Sequence, residues 1–287
     1  MSKVDYEIRK LQKRVTNGGM DRREFIKAAT AMGFAATAPA LFSHAAHATP
    51  KKGGVYRMGL GGANTGDMLD PGENGDTFMI NMNMGGCRNG LVEVNADGQA
   101  KPELAESLEP SADAKTWVVK LRKGIEFHSG KTFEADDAIA SIEHHRGEEA
   151  TSDAKSVAES LGSIRKDGPN TLIFELESGN ADFPYLLSDY HILMGSTDKH
   201  GHIDWETGDG TGSYVVKNFE PGVRAHMVRN PNYFKEGCAN FDEVKITAVG
   251  DAAARMNGIV TGQFDSIVRC DLKTAPMLEK KPGISVL

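Results

Sequence analysis

The first 48 residues determine which part of this chain folds and in which compartment. Residues 1–27 hold eight Lys/Arg against four Asp/Glu and close on Asp21-Arg22-Arg23-Glu24-Phe25-Ile26-Lys27. The uncharged run from Ala28 to Phe42, rich in Ala, Thr and Gly, is too short and too weakly apolar to cross about 30 Å of hydrocarbon. Ala46-His47-Ala48 then supplies the small-x-small pattern after which a signal peptidase cuts. Charged, apolar and cleavable regions in that order make an export leader, and Arg22 with Arg23 matches the twin-arginine type read by the Tat translocon. An amphipathic helix on Val4, Ile8, Leu11 and Val15 is the competing reading; it explains the spacing but not the ordered series. The expectation is a signal peptide over 1–48, a mature chain beginning at Thr49, and delivery to the periplasm. The first cysteine is Cys87, far from the cleavage site, so no lipid anchor is expected.

Removing the leader's eight bases and four acids from the chain's 33 and 40 leaves a mature charge of -11. No basic run or aromatic-interleaved Lys/Arg patch is present to neutralise a phosphate backbone, which argues against a nucleic-acid partner. Cys87, Cys238 and Cys270 form no CxxC pair and no zinc-finger spacing with histidine, so neither a metal nor a cofactor is expected.

Hydrophobic spacing predicts a mixed α/β chain. Val55–Leu60 alternates as a strand, and Gly61 to Gly75 reads as loop. Thr116–Arg122 places Trp117, Val119 and Leu121 on one face, and Lys123-Gly124 predicts a hairpin with Ile125–His128. A helix is expected from Ala135 to Arg146, and Leu172–Leu176 is a strand. Tyr214–Phe219 and Arg224–Arg229 flank the turn Glu220-Pro221-Gly222. Val244–Val249 leads to a helix N-capped by Asp251, burying Met256, Ile259 and Val260 and ending before Gly262. Phe264–Val268 follows as a buried strand, then a short helix near Leu272–Lys280 interrupted by Pro276. Strand–helix–strand order at this end predicts a largely parallel portion of sheet.

The residues that might carry chemistry read as structural. His128 stands alone, His144 and His145 point in different directions on a helix, and His200 and His202 lack a third ligand. Gly208-Asp209-Gly210-Thr211-Gly212 is glycine-rich but lacks the Lys-Ser/Thr of a phosphate loop. Asp136 and Asp137 suit a helix first turn, and no GxSxG nucleophile elbow occurs. No catalytic residue is assigned.

Three separated segments carry a family resemblance. They are Gly90–Val94 continuing through Lys101–Pro110; Lys115–Asp137, with its Phe127-His128-Ser129-Gly130-Lys131-Thr132-Phe133 core; and Gly210–Tyr214 joined to Arg229–Tyr233 and Phe241–Val244. In order and spacing these resemble the family-five extracellular solute-binding proteins, which include the dipeptide- and oligopeptide-binding proteins of bacterial ABC importers. Glu134 stands where the family usually has a capping hydroxyl, and Ser213 where it usually has proline. The resemblance implies a two-lobed clam-shell of periplasmic-binding-protein type with an extra sub-domain. Residues 49–90 and 195–275 would form the first lobe and 91–194 the inserted sub-domain. Residues 276–287 would begin a crossover towards a second lobe that is largely missing, because family members continue for about as long again. It also implies capture of a peptide or similar small solute, with ABC permease subunits as partners. Comparable positions in the family place Cys87, Arg88 and Asn89 at the cleft, where the Arg88 fork would suit a carboxylate; a solvated surface arginine is the alternative. Asn64, in the Asn64–Asp67 loop, is a second candidate. An exported hydrolase, or a solute sensor or chaperone on the same fold, is the competing function.

Export should depend on the arginine pair. Replacing Arg22 and Arg23 together by Lys is expected to trap precursor in the cytoplasm, as read by fractionation and immunoblotting. Unchanged delivery, or exported protein still carrying Met1, would contradict the leader assignment.

Overall fold

A computed structural model describes residues 52–73 and 75–286. Arg22, Arg23, Ala46 and Ala48 lie outside the described residues. In chain order the elements are β1 (Val55–Leu60), α1 (Thr77–Met82), β2 (Val92–Val94), β3 (Ala100–Pro102), β4 (Ala105–Pro110) and β5 (Thr116–Leu121). Next come α2 (Ala135–Glu143), α3 (Lys155–Ser160), β6 (Ser163–Lys166), β7 (Thr171–Glu175) and α4 (Phe183–Leu186). The last are β8 (Tyr214–Glu220), β9 (Arg224–Arg229), β10 (Glu243–Ala248), α5 (Ala252–Val260), β11 (Ser266–Ile267) and α6 (Ala275–Leu278).

One sheet has the order β11-β1-β10-β9-β8. β1 runs parallel to both β10 and β11, while β10-β9-β8 is antiparallel. A second, antiparallel sheet has the order β4-β5-β7-β6, and β2 and β3 form a separate antiparallel pair. Each larger sheet has its own apolar cluster. One is drawn from Leu91 to Met194 and includes Trp117 and Phe174, with Phe183 stacked on the first and edge-on to the second. The other gathers Leu60, Phe78, Met79, Met82, Tyr214 and Met227. Phe234 follows β9 yet packs on the first cluster.

The alternation of β5 appears as read, with Trp117, Val119 and Leu121 buried. Its partners differ from the expected hairpin: β5 lies between β4 and β7, and Ile125–His128 contributes only the bridge Glu126–Thr132. The 105–110 and 171–175 segments supply full-length ladders, which the four residues after Gly124 are too few to match. α2 begins at Ala135 as expected. Glu134 takes the place of a hydroxyl in a capping box, in which the Glu134 N–H donates to Asp137 Oδ2 at 3.0 Å. The Gly61–Gly75 loop includes one short turn, Pro71–Glu73. The following α1 carries no apolar repeat long enough to read, but Asp76 caps it by accepting from Met79 N.

α5 is capped by Asp251, whose Oδ1 accepts from Ala254 N at 2.7 Å, but the helix turns a different face inward. It buries Arg255 and Gly258, while Val260 is exposed. The Phe264 ring explains the rotation. It lies between β1 and α5 where both have glycine: a Cβ on Gly59 would stand 2.7 Å from it, and one on Gly258 would overlap it. The strand expected over Phe264–Val268 pairs only at Ser266 and Ile267. Pro276 sits in the first turn of α6, where the missing N–H has no intrahelical partner to lose.

Replacing Gly258 by Val should force the Phe264 ring away from β1. An overpacked site of this kind costs about 2 kcal/mol, so the melting temperature should fall by roughly 4–8 °C. Thermal unfolding followed by circular dichroism tests this, and an unchanged midpoint would contradict the packing described.

Candidate functional site

The parallel strands of the first sheet end together, and their following loops diverge. From Leu60 the chain leads to α1, which lies on the face carrying Tyr56, Met58 and Ile246 and bounds with them a cavity of about 330 Å³. From Ala248 it leads to α5, on the opposite face where Phe264 meets Gly59. Neighbouring parallel strands whose connections leave on opposite faces open a crevice at their carboxyl ends, the usual ligand position in an open α/β sheet. Around the carboxyl ends of β1 and β10, where such a crevice would open, stand residues 61–70, Gly222 with Val223, and residues 249–251: Val249 N donates to Leu60 O at 2.7 Å, and Ala248 N to Val223 O at 2.9 Å.

The exposed Asn64 organises its own loop. Its N–H donates to Asp67 Oδ2 at 2.9 Å, and its side-chain oxygen accepts from Gly66 N at 2.8 Å. The β8–β9 turn supports this loop from below; a Cβ on Gly222 would come within 2.8 Å of Asn64 C. Met68 and Val223 are exposed. Burial, together with the nearby Asp76 carboxylate, raises Asp67 above the ordinary carboxylate range despite its amide donors. Under Gly61 the buried Arg255 donates to the carbonyls of Val249 (2.7 Å), Gly250 (2.9 Å) and Arg269 (3.3 Å), tying together the segments after β10 and β11.

Cys87, Arg88 and Asn89 stand in the interior. Arg88 is 1% exposed, so the solvated-arginine reading is corrected. Its Nη1 donates to Leu69 O at 2.8 Å and Asn83 Oδ1 at 2.6 Å, and its Nη2 to Trp205 O at 3.0 Å. A fork occupied by its own chain is not available to a solute carboxylate. Cys87 is fully buried, which pushes its thiol pKa up. Asn89 Nδ2 donates to Glu103 Oε1 (2.7 Å) and Tyr233 OH (3.2 Å), and its Oδ1 accepts from Thr211 Oγ1 (3.0 Å).

The glycine-rich loop closes over this knot. A Cβ on Gly210 would overlap the Cys87 carbonyl oxygen, and one on Gly212 that of Gly86. His128 N donates to Gly210 O at 2.8 Å, and its Nε2 lies 3.0 Å from Gly212 O, which requires the proton on Nε2. Burial holds this imidazole below its ordinary pKa. Asn230 Nδ2 donates to the same Gly212 carbonyl at 3.0 Å. The three segments that carry the family resemblance therefore meet here. Of the four expected solute contacts, Asn64 is exposed on the loop after β1, whereas Cys87, Arg88 and Asn89 are buried.

Three histidines stand where the loop after Asp70 meets α2 and the segment after α4. His144 Nε2 is 2.8 Å from Asp70 Oδ2, His145 Nδ1 is 2.7 Å from Ser152 Oγ, and His191 Nδ1 is 2.7 Å from Asp189 Oδ1. Burial by itself would raise Asp70, but the His144 bond, the Gly72 amide and the histidine charges outweigh it and hold the carboxyl low. Ser152 and His145 resemble a nucleophile and base, yet His145 Nε2 is buried without a partner to orient the ring. Burial and then His144 lower His145 to about 4, leaving it a weak base. Among the described residues no three His, Cys, Asp or Glu are placed to hold a metal ion, and all three cysteines are free. Asp137 is buried against Lys131 and Thr197, whereas Asp136 pairs outward with Lys166 at 2.7 Å. No described helix is long and apolar enough to cross a membrane.

Residues 99–287 match the family model described as bacterial extracellular solute-binding proteins, family 5 Middle. The chain is 27% identical over 202 residues to the oligopeptide-binding protein AppA of Bacillus subtilis, covering 64% of this chain and 36% of that protein. It is 27% identical over 226 residues to heme-binding protein A of Haemophilus influenzae, covering 69% and 41%. Among solved structures it is similar to the periplasmic binding protein AgaA of A. tumefaciens R10 in complex with agropinic acid, with a TM-score of 0.71 and 25% identity over 80% of this chain and 46% of that one. DppA of Helicobacter pylori, in complex with the peptide STSA, shares the fold at a TM-score of 0.69 and 21% identity, over 81% and 50%. The chain thus spans 36% to 41% of the length of these curated relatives.

The buried imidazole sets a pH dependence. His145, faced by His144, Asp70, His191 and Asp189, takes up its proton near pH 4 when folded and near 6.5 when unfolded. Between those values the unfolded chain binds more protons, so stability should fall as pH drops from about 6.5 to 4, by roughly 3 kcal/mol at most. Chemical denaturation across this range should show a shallower slope in His145→Asn. An identical slope would assign the dependence to other groups.

Proposed function

The chain belongs to the bacterial extracellular solute-binding proteins of family 5, and from that premise we propose that it serves an ABC importer by capturing a peptide or similar small solute and delivering it to the permease subunits. The observation that carries the reading is the divergence of the connections after β1 and β10, with Asn64, Met68 and Val223 exposed around the carboxyl ends of those strands. A polar side chain, loop backbone and exposed apolar groups together suit a solute with amide groups and apolar side chains. The likeness to an oligopeptide-binding protein supports the same class.

In this reading residues 49–90 and 195–275 form the first lobe and 91–194 an inserted sub-domain. Closure of a second lobe over the crevice is the state the permease recognises. Delivery to the periplasm through the twin-arginine leader belongs to the same proposal. Chemistry on the solute is not part of it. Ser152 and His145 are placed as a nucleophile and base would be, but with no orienting group and a base near pH 4 they support hydrolysis poorly.

Mass spectrometry of ligand released from protein purified out of the periplasm tests the reading. Short intact peptides are expected, and Asn64→Ala should weaken their binding about fivefold, consistent with about 1 kcal/mol for one lost hydrogen bond. Co-purification of heme or a metal chelate would replace the solute class. Cleaved peptides whose formation stops in Ser152→Ala would replace the function.

A further inference from the structure

We infer that Arg88 is a positioning residue, fixing the solute-facing loop through a closed ring of contacts that never touches the solute. The inference rests on the proposed role of the crevice.

The Gly61–Asp70 loop is held at its start by β1. Its far end is held at two successive residues. The carbonyl of Leu69 accepts from Arg88 Nη1 at 2.8 Å, and the carboxylate of Asp70 meets His144 Nε2 at 2.8 Å. The two anchors are joined through one aromatic ring. The Arg88 guanidinium lies 5.2 Å from the centre of the Trp205 ring, and the His144 imidazole packs on the same ring, 5.0 Å away. Arg88 also donates to the Trp205 carbonyl at 3.0 Å. Arg88, Trp205, His144, Asp70 and Leu69 therefore close a circuit, and displacing one member strains both anchors.

The chemistry chosen for this position supports a positioning role. Arg88 is almost fully buried, and among the described residues it forms no ion pair; its acceptors are two carbonyls, the Asn83 amide oxygen and, at 3.7 Å, the Cys87 sulfur. An apolar side chain would fill the space without taking a cation out of water. A guanidinium adds rigid, directional donors that lock three chain segments into one relative geometry. The segments are the loop after β1 at Leu69, the turn after α1 at Asn83 and the short turn Trp205–Thr207. Lysine, with a single mobile ammonium, cannot hold all three in that arrangement.

Hydrogen–deuterium exchange on the whole chain tests the ring without needing a ligand. Arg88→Lys and, in case that variant fails to fold, His144→Gln should each raise exchange in residues 61–73 at least tenfold. Amides of 55–60, 224–229 and 243–248 should stay as in the wild type. Trp205→Phe, which keeps an aromatic face and the same backbone carbonyl, should preserve protection of 61–73. Uniform acceleration across all these segments would reduce Arg88 to a general stabilising role and overturn the inference, as would unchanged exchange in 61–73. In a second arm, the tetrapeptide Ser-Thr-Ser-Ala serves as probe in calorimetry, and at least fivefold weaker binding by His144→Gln is expected. If the wild type does not bind this probe, that result counts against the peptide reading of the crevice, and exchange alone decides the role of Arg88.

Discussion

The contact on which the rest of the structure depends is backbone against backbone. Gly210 and Gly212 lie on the carbonyl oxygens of Cys87 and Gly86 so closely that no side chain fits between them. That approach brings Thr211 to Asn89, the His128 ring to Gly212 and the Asn230 amide to the same carbonyl. Each partner comes from a different stretch of sequence, and each is a directional hydrogen bond. The two apolar clusters are thereby joined at a site with defined geometry rather than across a greasy interface free to slide.

Polar groups buried at such a junction must find partners, and this need explains the residue types around it. Glu103 accepts from Asn89 and from the Gly90 amide, and it is also paired with Lys235 at 2.5 Å. Lys235 further reaches Glu93 at 2.7 Å, and although burial alone would lower its pKa, these two carboxylates raise it. The segment after β9 is thus fastened to the smaller strand pair by charge, beside the packing of Phe234. Arg88 and Arg255 solve the same problem differently, directing their donors to carbonyls of chain that has just left a regular element. Both arginines stabilise loops bordering the crevice, which lets short, irregular segments form a wall with fixed shape.

Local patterns were legible where they are produced by local forces. The alternation of Trp117, Val119 and Leu121 announces a strand because successive side chains point to opposite faces. Asp251 announces a helix start because a short side-chain acceptor meets free amides there. The parallel portion followed from strand–helix–strand order. Less was legible wherever a residue's surroundings come from elsewhere in the chain. The partners of β5 lie on both sides of it in sequence, so the adjacent Ile125–His128 was a poor guide. The buried face of α5 was misread because hydrophobicity favoured Ile259 and Val260, whereas Phe264 needed a surface without side chains.

The site divides along the same line. From the amino-acid order alone come the expectation of an export leader and of an acidic mature chain, the elements marked by caps and alternation, and the family resemblance carried by three separated segments. These rest on spacing along the chain. Tertiary structure alone decided that those segments meet in one buried knot, that Arg88 faces inward with its donors on carbonyls of its own chain, and that Asn64 is exposed on the loop after β1. An arginine reads the same in sequence whether water or carbonyls surround it. Its burial is set by Leu69 and Trp205, 19 residues before it and 117 after it, and only the folded backbone brings those carbonyls to its donors.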